Sequence, residues 1–167
     1  AIMQERENKY AFIIVLLLAS TLVLTQSCIN KNESNQYPFL SEFTRYMKEV
    51  HNQSLNEGEI YYLLDLQSCD PCIEKNLALL NEMSNELDLN VIFINNTRFN
   101  IWDSLIENIK QKYSTFIDLG GEAHLFEIGL SKPLIIYFEK ESHTDYMSVS
   151  DYEIDLAYSF IKENLKN

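Results

Sequence analysis

Apolar and polar positions along the chain follow two periods, one typical of buried strands and one typical of amphipathic helices. Short apolar runs predict four strands, at Ile60–Leu66, Val91–Ile94, Leu134–Phe138 and Tyr146–Val149. Apolar residues at helical spacing predict four helices, over about 38–51, from the cysteines near 70 to about 88, over about 100–117, and from about 150 to the end. Strands alternating with helices, then a hairpin and a last helix, predict an α/β domain with a mixed sheet.

The start of the last helix carries its own signal. Ser150-Asp151-Tyr152-Glu153 has the spacing of a capping box, in which a serine and a glutamate three residues later satisfy each other's backbone amides. We therefore expect the helix to begin at this box.

Two cysteines lie where the first predicted strand gives way to a helix. The spacing in Cys69-Asp70-Pro71-Cys72 places Cys69 at or just before the first helical turn and Cys72 one turn inside. Pro71 fits there because a first-turn residue needs no amide proton. Two thiols one turn apart can close a small disulfide ring, and the positive helix end stabilises a thiolate on the outer one. Cys69 is the predicted nucleophile and Cys72 the resolving thiol.

Two other interpretations of the pair are a zinc half-site and an inert structural disulfide. Zinc needs about four ligands, and the chain has no second cysteine pair. The histidines show no paired spacing, since they stand far apart at positions 51, 124 and 143. We predict no metal at this site, and the inert disulfide stays open as an alternative.

At these residues the chain resembles the thioredoxin-like thiol-disulfide oxidoreductases. The likeness covers the strand, the Cys-Asp-Pro-Cys motif and the helix, and it returns in the segment from Gly129 to Phe138. The resemblance implies a thioredoxin-like mixed sheet flanked by helices, in which Pro133 is cis and lies with Lys132 against the redox pair as a substrate-binding loop. It implies no bound cofactor. The alternative for Pro133 is that it merely starts a strand, as proline commonly does.

The long interval from Cys69 to Pro133 predicts an insertion between the redox helix and the cis-proline strand, around the helix at 100–117 and the Gly120-Gly121 loop. Such loops often shape partner recognition. Scaffolding is the alternative role for this insertion.

Two departures from the family pattern concern the active-site strand. Ser68 stands where the family often has tryptophan, and Leu63 stands where it often has a buried acid. Asp65 follows two residues later, on the same face of a regular strand. It is the candidate for proton handling at Cys72, with simple solvation as the alternative.

The N-terminal region predicts export. Tyr10 to Leu24 is free of charge, and as a helix its fifteen residues span only about 22 Å of a hydrocarbon core of about 30 Å. A secretory signal therefore fits better than a permanent span. Thr25-Gln26-Ser27-Cys28 resembles a bacterial lipoprotein cleavage box, which implies lipidation at Cys28. An uncleaved anchor is the alternative.

We accordingly expect a signal peptide at 1–27, a polar tether at 28–37 and a thioredoxin-like domain at 38–167. The domain is then lipid-anchored in the bacterial cell envelope, outside the cytoplasm on the periplasmic side. Cysteine parity agrees, because acylation of Cys28 leaves only the paired cysteines of the three in the chain.

Charge narrows the partners. The chain has 13 basic and 25 acidic residues, a formal net charge of −12. So acidic a chain argues against nucleic-acid binding and against lying flat on anionic lipid. Protein disulfides and dithiols are the expected partners, and the lipid anchor is the expected membrane contact.

The predicted function is thiol-disulfide exchange outside the cytoplasm. Asp70 disfavours the Cys69 thiolate, whereas Lys132, which the resemblance places beside the pair, favours it, so the direction of the reaction stays open. Resemblance to membrane-tethered relatives favours a reductase supplied by a membrane electron donor. The alternatives are a binding lipoprotein with a static disulfide and no catalysis, and a copper-handling protein that needs His124 beside Cys69.

Overall fold

The computed structural model describes residues 36–84, 87–95, 99–140 and 143–165. Within these ranges the chain forms four α-helices, α1 (Leu40–His51), α2 (Asp70–Glu82), α3 (Phe99–Lys112) and α4 (Ile154–Asn164). It also forms five strands and a short 3-10 helix at Glu122–Leu125; the strands are β1 (Glu59–Asp65), β2 (Leu89–Ile94), β3 (Ser114–Asp118), β4 (Leu134–Lys140) and β5 (His143–Ser148). The predicted α/β class is confirmed.

The strands form one mixed sheet in the order β3-β2-β1-β4-β5. β1, β2 and β3 are parallel, whereas β4 runs antiparallel to β1 and to β5. The carboxyl ends of β1, β2, β3 and β5 therefore meet at one edge of the sheet, and the segment before β4 lies at the same edge. The residues predicted at the redox site all lie at this edge: Asp65 ends β1, Cys69 and Cys72 stand at the start of α2, and Lys132 and Pro133 precede β4.

Helices cover both faces of the sheet, which explains why the centre of β1 is buried without interruption from Ile60 to Leu64. One face carries α2, α3 and α4, whose apolar residues pack on Tyr62 and Leu64. The other face carries α1, whose Phe43, Tyr46 and Met47 pack with Tyr61 and Leu63 of β1. The alternation of side chains along the strand assigns its residues to the two clusters.

The helix predicted over about 100–117 is wrong in its last five residues. α3 ends at Lys112, and Ser114–Asp118 forms the edge strand β3 beside β2. Phe116 falls at helical spacing from the residues before it, but the segment around it is rich in β-branched and aromatic side chains, which favour a strand. The segment forms a strand because it can pair with β2 at the edge of the sheet.

The redox helix ends earlier than predicted, at Glu82 instead of near Asp88. Its last carbonyl groups are taken by residues at the end of α3. The Tyr113 hydroxyl donates to Leu80 O at 3.1 Å, and Lys112 Nζ donates to Asn81 O. Since these contacts satisfy the carbonyl groups that a helix leaves unpaired at its end, the helix stops there.

The hairpin prediction is confirmed, with β5 beginning three residues before its predicted start. The predicted capping box is only half formed. The Ser150 N–H donates to Glu153 Oε2 at 3.1 Å, but the helix begins at Ile154 with Glu153 as its N-cap. The box therefore closes a turn ahead of the helix, because the Ser150 hydroxyl also bonds the Glu153 carboxylate and not a helix amide.

The predicted signal peptide, Cys28 and nearly all of the predicted tether lie outside the described ranges, which begin at residue 36. Tyr37, at the end of the predicted tether, is buried, and its hydroxyl donates to Ile128 O. None of the helices in the described ranges is both long enough and apolar enough to cross a membrane. Between α2 and β4 the chain forms β2, α3, β3 and the 3-10 helix. Whether this segment is an insertion stays a prediction.

Candidate redox site

The two cysteines occupy the helix start as the spacing predicts. Cys69 is the N-cap of α2, and the N–H groups of Cys72 and Ile73 both donate to Cys69 O at 3.0 Å. The Cys72 N–H also lies 3.4 Å from Cys69 Sγ. Pro71 stands in the first turn, where its missing amide proton costs nothing. The N-terminal end of α2 therefore presents an amide hydrogen to the Cys69 sulfur.

The cysteines form a disulfide, with their Cα atoms 5.3 Å apart. Their accessibility differs, because Cys69 is exposed whereas Cys72 is half-buried. An incoming thiolate or disulfide can therefore reach the outer residue more readily than the inner one. The roles of Cys69 as nucleophile and Cys72 as resolving thiol stay a prediction.

A buried hydrogen-bond network of two side chains lies beneath the inner cysteine and was not anticipated from the sequence. Asn76 and Tyr62 are both fully buried, and the Tyr62 hydroxyl donates to Asn76 Oδ1. Asn76 Nδ2 in turn donates to Cys72 O at 2.6 Å. Burial raises the pKa of Tyr62 well above its usual range, so the phenol stays a neutral donor. This hydrogen-bond network links the first turn of α2 to β1, the strand that precedes it.

One feature of the sequence indicates this hydrogen-bond network. Asn76 stands on the apolar stripe of α2 next to Leu77, at a position facing the sheet. A polar side chain on such a stripe is buried only with a hydrogen-bond partner. That partner is supplied by a tyrosine on the strand.

Asp65 lies at the end of β1, and its carboxylate is engaged by three neighbours. Its Oδ1 accepts from Gln67 N at 2.9 Å and from Asn95 Nδ2 at 3.2 Å, and its Oδ2 lies 3.2 Å from His124 Nε2. Asp65 follows Leu63 on the face that carries α1, whereas α2 packs on the opposite face. The first bond stabilises the turn leading to Cys69. Proton handling by Asp65 stays a prediction.

Asn95 and His124 complete a cluster with Asp65 that spans three connections at the same sheet edge. Asn95 Nδ2 lies 2.7 Å from His124 Nε2, and this ring nitrogen accepts from the amide in the tautomer that carries its proton on Nδ1. Asn95 has a positive φ of 59°, a conformation that asparagine tolerates better than most residues. The copper-handling alternative needs His124 at Cys69, whereas the contacts of this ring are with Asp65 and Asn95.

The Lys132-Pro133 loop precedes β4 at this edge. Pro133 is buried and its carbonyl accepts from Val149 N at 2.7 Å, while Lys132 is exposed. The expectation of a cis bond before Pro133 is wrong: this peptide bond is trans, as most X-Pro bonds are. Pro133 stands immediately before Leu134, where β4 begins, one residue from what the alternative interpretation held.

Lys132 contributes to the electrostatics of the neighbouring turn. Hydrogen bonds from the Ser150 hydroxyl and N–H lower the pKa of the Glu153 carboxyl, and the Lys132 charge adds a smaller effect in the same direction. The loop and the turn before α4 are therefore close enough to interact. A contact of Lys132 or Pro133 with substrate stays a prediction.

Two further observations bear on the pair. Ser68, the residue before Cys69, has a buried hydroxyl oxygen with no hydrogen-bond partner among the described residues. Within the same ranges, no group of three or more histidine, cysteine, aspartate or glutamate side chains is arranged to hold a metal ion.

The fold and the site together define a class: an α/β domain whose cysteine pair, at disulfide distance on a helix start beside a mixed sheet, is compatible with redox chemistry and with a thioredoxin-like fold. No protein-family model, no curated protein and no solved structure matches this chain. The function is therefore argued from the site alone.

Proposed function

We propose that this protein is a thiol-disulfide oxidoreductase that works outside the cytoplasm and passes electrons to disulfides in protein substrates. One observation carries the proposal: Cys69 is exposed at the N-cap of α2, with the Cys72 N–H directed at its sulfur. A helix amide and the positive helix end both favour a thiolate at this position.

The reaction begins with both cysteines reduced. The Cys69 thiolate attacks one sulfur of the substrate disulfide, the substrate S–S bond breaks, and the second substrate sulfur leaves as a thiolate that takes a proton. Cys72 then loses its proton and attacks Cys69 Sγ, which releases the first substrate sulfur as a thiol. Two electrons have passed to the substrate, and the Cys69–Cys72 disulfide has formed.

A reduced dithiol donor must then restore the pair. In this proposal the donor is a membrane electron carrier, and the domain is held beside it by lipid on Cys28 after removal of residues 1–27. Cysteine parity and the apolar segment from Tyr10 to Leu24 support this location. Lys132 favours the Cys69 thiolate and Asp70 opposes it, so the reducing direction rests on the resemblance to membrane-tethered reductases.

The test is reduction of insulin disulfides by dithiothreitol in the presence of the full chain, kept soluble in a non-ionic detergent. We expect the unaltered chain to accelerate insulin precipitation and the Cys69→Ser variant to be inactive. Cys72→Ser should trap a mixed disulfide with the substrate, visible on a non-reducing gel. The static-disulfide alternative predicts that the unaltered chain and both variants behave alike, and that the pair resists mild reduction.

A further inference from the structure

A surface groove of about 630 Å³ runs between the redox helix and the last helix. Its α2 wall is formed by Lys75, Leu79 and Glu82, which lie on one helical stripe that also contains Cys72. Lys75 stands one turn beyond Cys72, so the groove begins about 5 Å along the helix from the inner cysteine. A polypeptide that reacts at the pair is therefore within reach of the groove.

The opposite wall presents carboxylates and aromatic rings. Asp155 and Tyr158 of α4, with Tyr152 of the turn before it, line this side. Tyr152 is 81% exposed, which is unusual for so large a ring. Exposed aromatic side chains next to carboxylates are typical of surfaces that bind cationic groups.

The charge of the groove is acidic once its internal pair is set aside. Lys75 Nζ donates to Asp151 O at 3.0 Å and lies 3.5 Å from Asp151 Oδ2, so this lysine offsets the Asp151 carboxylate. Glu82 and Asp155 are exposed on the two walls. The aromatic wall already holds one cation, because Lys162 Nζ lies 5.2 Å from the centre of the Tyr158 ring.

We propose that this groove is a subsite for the polypeptide substrate, and that it binds a lysine or arginine near the substrate cysteine, with an apolar side chain packing against Leu79. The inference rests on the proposed function and names the class of substrate for that site. The basic side chain lies between the Glu82 and Asp155 carboxylates, and the exposed Tyr152 ring contacts its alkyl stem and cationic head.

The geometry sets the spacing in the substrate. From Cys72 the groove extends along α2 over roughly 5 to 15 Å, and an extended chain rises about 3.3 Å per residue. The basic residue should therefore lie roughly two to five positions from the reacting cysteine. A second copy of the chain is a poorer occupant, because each copy has a net charge of −12 and repels the other.

The experiment measures binding without chemistry. The full chain, oxidised and in non-ionic detergent, is titrated into two fluorescent peptides of about ten residues that carry serine in place of cysteine. One peptide has leucine three and lysine five positions from the serine, so that both side chains point to the same side of an extended chain, and its partner has glutamate in place of the lysine. Anisotropy at low salt gives both dissociation constants, and we expect the basic peptide to bind at least about tenfold more tightly, on the scale of two favourable charge contacts against two repulsive ones.

A pair of charge-matched double variants locates the site. Glu82→Gln with Asp155→Asn should weaken the basic peptide about fivefold, as expected for loss of two exposed charge contacts. Glu127→Gln with Glu163→Gln removes the same charge at exposed positions outside the groove and should change binding less than twofold.

Several results would overturn the proposal. Equal binding of the two peptides by the unaltered chain is one, and it does not depend on any variant folding. Equal weakening by both double variants is another, because it would mean general attraction to an acidic protein. A dimer detected by light scattering and lost in the groove variant would assign the groove to a second copy. If the basic peptide binds in the groove while insulin is not reduced, the proposed function fails and the groove stands as a binding surface.

Discussion

At the scale of single residues, the site depends on groups that are not themselves reactive. Cys69 and Cys72 are exposed and half-buried respectively, but the position of the inner residue is set by Asn76 and Tyr62, both fully buried. Asn76 holds the carbonyl of Cys72, and Tyr62 holds Asn76. This hydrogen-bond network fixes the position of α2 relative to β1 at the turn that carries the two cysteines.

Removing one partner of the Tyr62–Asn76 hydrogen bond should lower the free energy of unfolding more than removing both partners. Tyr62→Phe leaves the buried Asn76 Oδ1 without its donor, and we expect the free energy of unfolding to fall by about 1–3 kcal/mol. The double variant Tyr62→Phe with Asn76→Leu removes both polar groups and should recover most of that loss. Urea denaturation of the oxidised proteins measures this, and a Tyr62→Phe variant as stable as the unaltered chain would contradict it.

Asp65 allows a test of anchoring against proton transfer. Asparagine at this position can still accept from Gln67 N, whereas alanine cannot. If the carboxylate mainly holds the turn before Cys69, Asp65→Asn should keep the insulin reduction rate within about threefold, and Asp65→Ala should lose more than about tenfold, on the scale of a lost hydrogen bond to a charged group. Equal losses in both variants would instead assign proton handling to the carboxylate.

The residues of the site were foreseen unequally from the sequence. The cysteine pair follows from its spacing and from a helix-compatible proline, both of which are local. Asn76 could not be assigned a role, because its partner is supplied by the fold and not by a neighbouring position. The trans bond before Pro133 differs from what the resemblance implied, since the isomer is a property of the folded loop and not of the dipeptide.

At the scale of elements, the start of α2 is the feature that differentiates the two thiols. Its amides face Cys69, and Cys72 lies inside the helix. After reduction, iodoacetamide at pH 6.5 should therefore alkylate Cys69 at least about tenfold faster than Cys72, because only the outer sulfur combines exposure with thiolate stabilisation. Peptide mass spectrometry after short labelling times measures the ratio.

Charge variants refine that prediction. Asp70→Asn removes a like charge beside the thiolate and should speed alkylation of Cys69 at the same pH. Lys132→Gln should slow it if the loop lies near the pair. Unchanged rates in both variants would mean that the helix end alone determines the reactivity.

Element boundaries were predictable where a pattern is unique and failed where two patterns overlap. β1, β2 and β4 are apolar runs too short for helices, and the structure has them as strands. The segment from Tyr113 to Asp118 continues a helical spacing and also has strand composition. Its pairing with β2 is a long-range contact, which a local pattern cannot contain.

At the scale of the whole molecule, a buried polar network joins α1 to the last residue of the edge strand β3. The Tyr46 hydroxyl donates to Asp118 Oδ2 at 3.2 Å and lies 3.0 Å from His51 Nε2. Asp118, only 2% exposed, also accepts from the N–H groups of Glu122 and Ala123 at 2.9 and 2.8 Å. One carboxylate therefore fixes the helix, the strand end and the 3-10 helix together.

This network predicts how stability depends on pH. Burial lowers the pKa of His51 below its usual 6.5, and the Asp118 charge opposes this only in part. Between the lowered pKa and 6.5 the unfolded chain binds more protons than the folded one, so the free energy of unfolding falls as the pH falls through this range. Glu153, whose pKa is also lowered, loses its contribution only below its usual value of 4.5, in a separate window.

His51→Gln isolates the effect, because glutamine can still bond the Tyr46 hydroxyl but does not titrate. Urea denaturation at pH 7.5 and 5.5 should show a smaller loss of stability in this variant than in the unaltered chain. His124 and His143 are present in both proteins and cancel in the comparison. An equal loss in the two proteins would mean that protonating His51 costs the folded state nothing, and that α1 yields enough at this end to let water reach the ring.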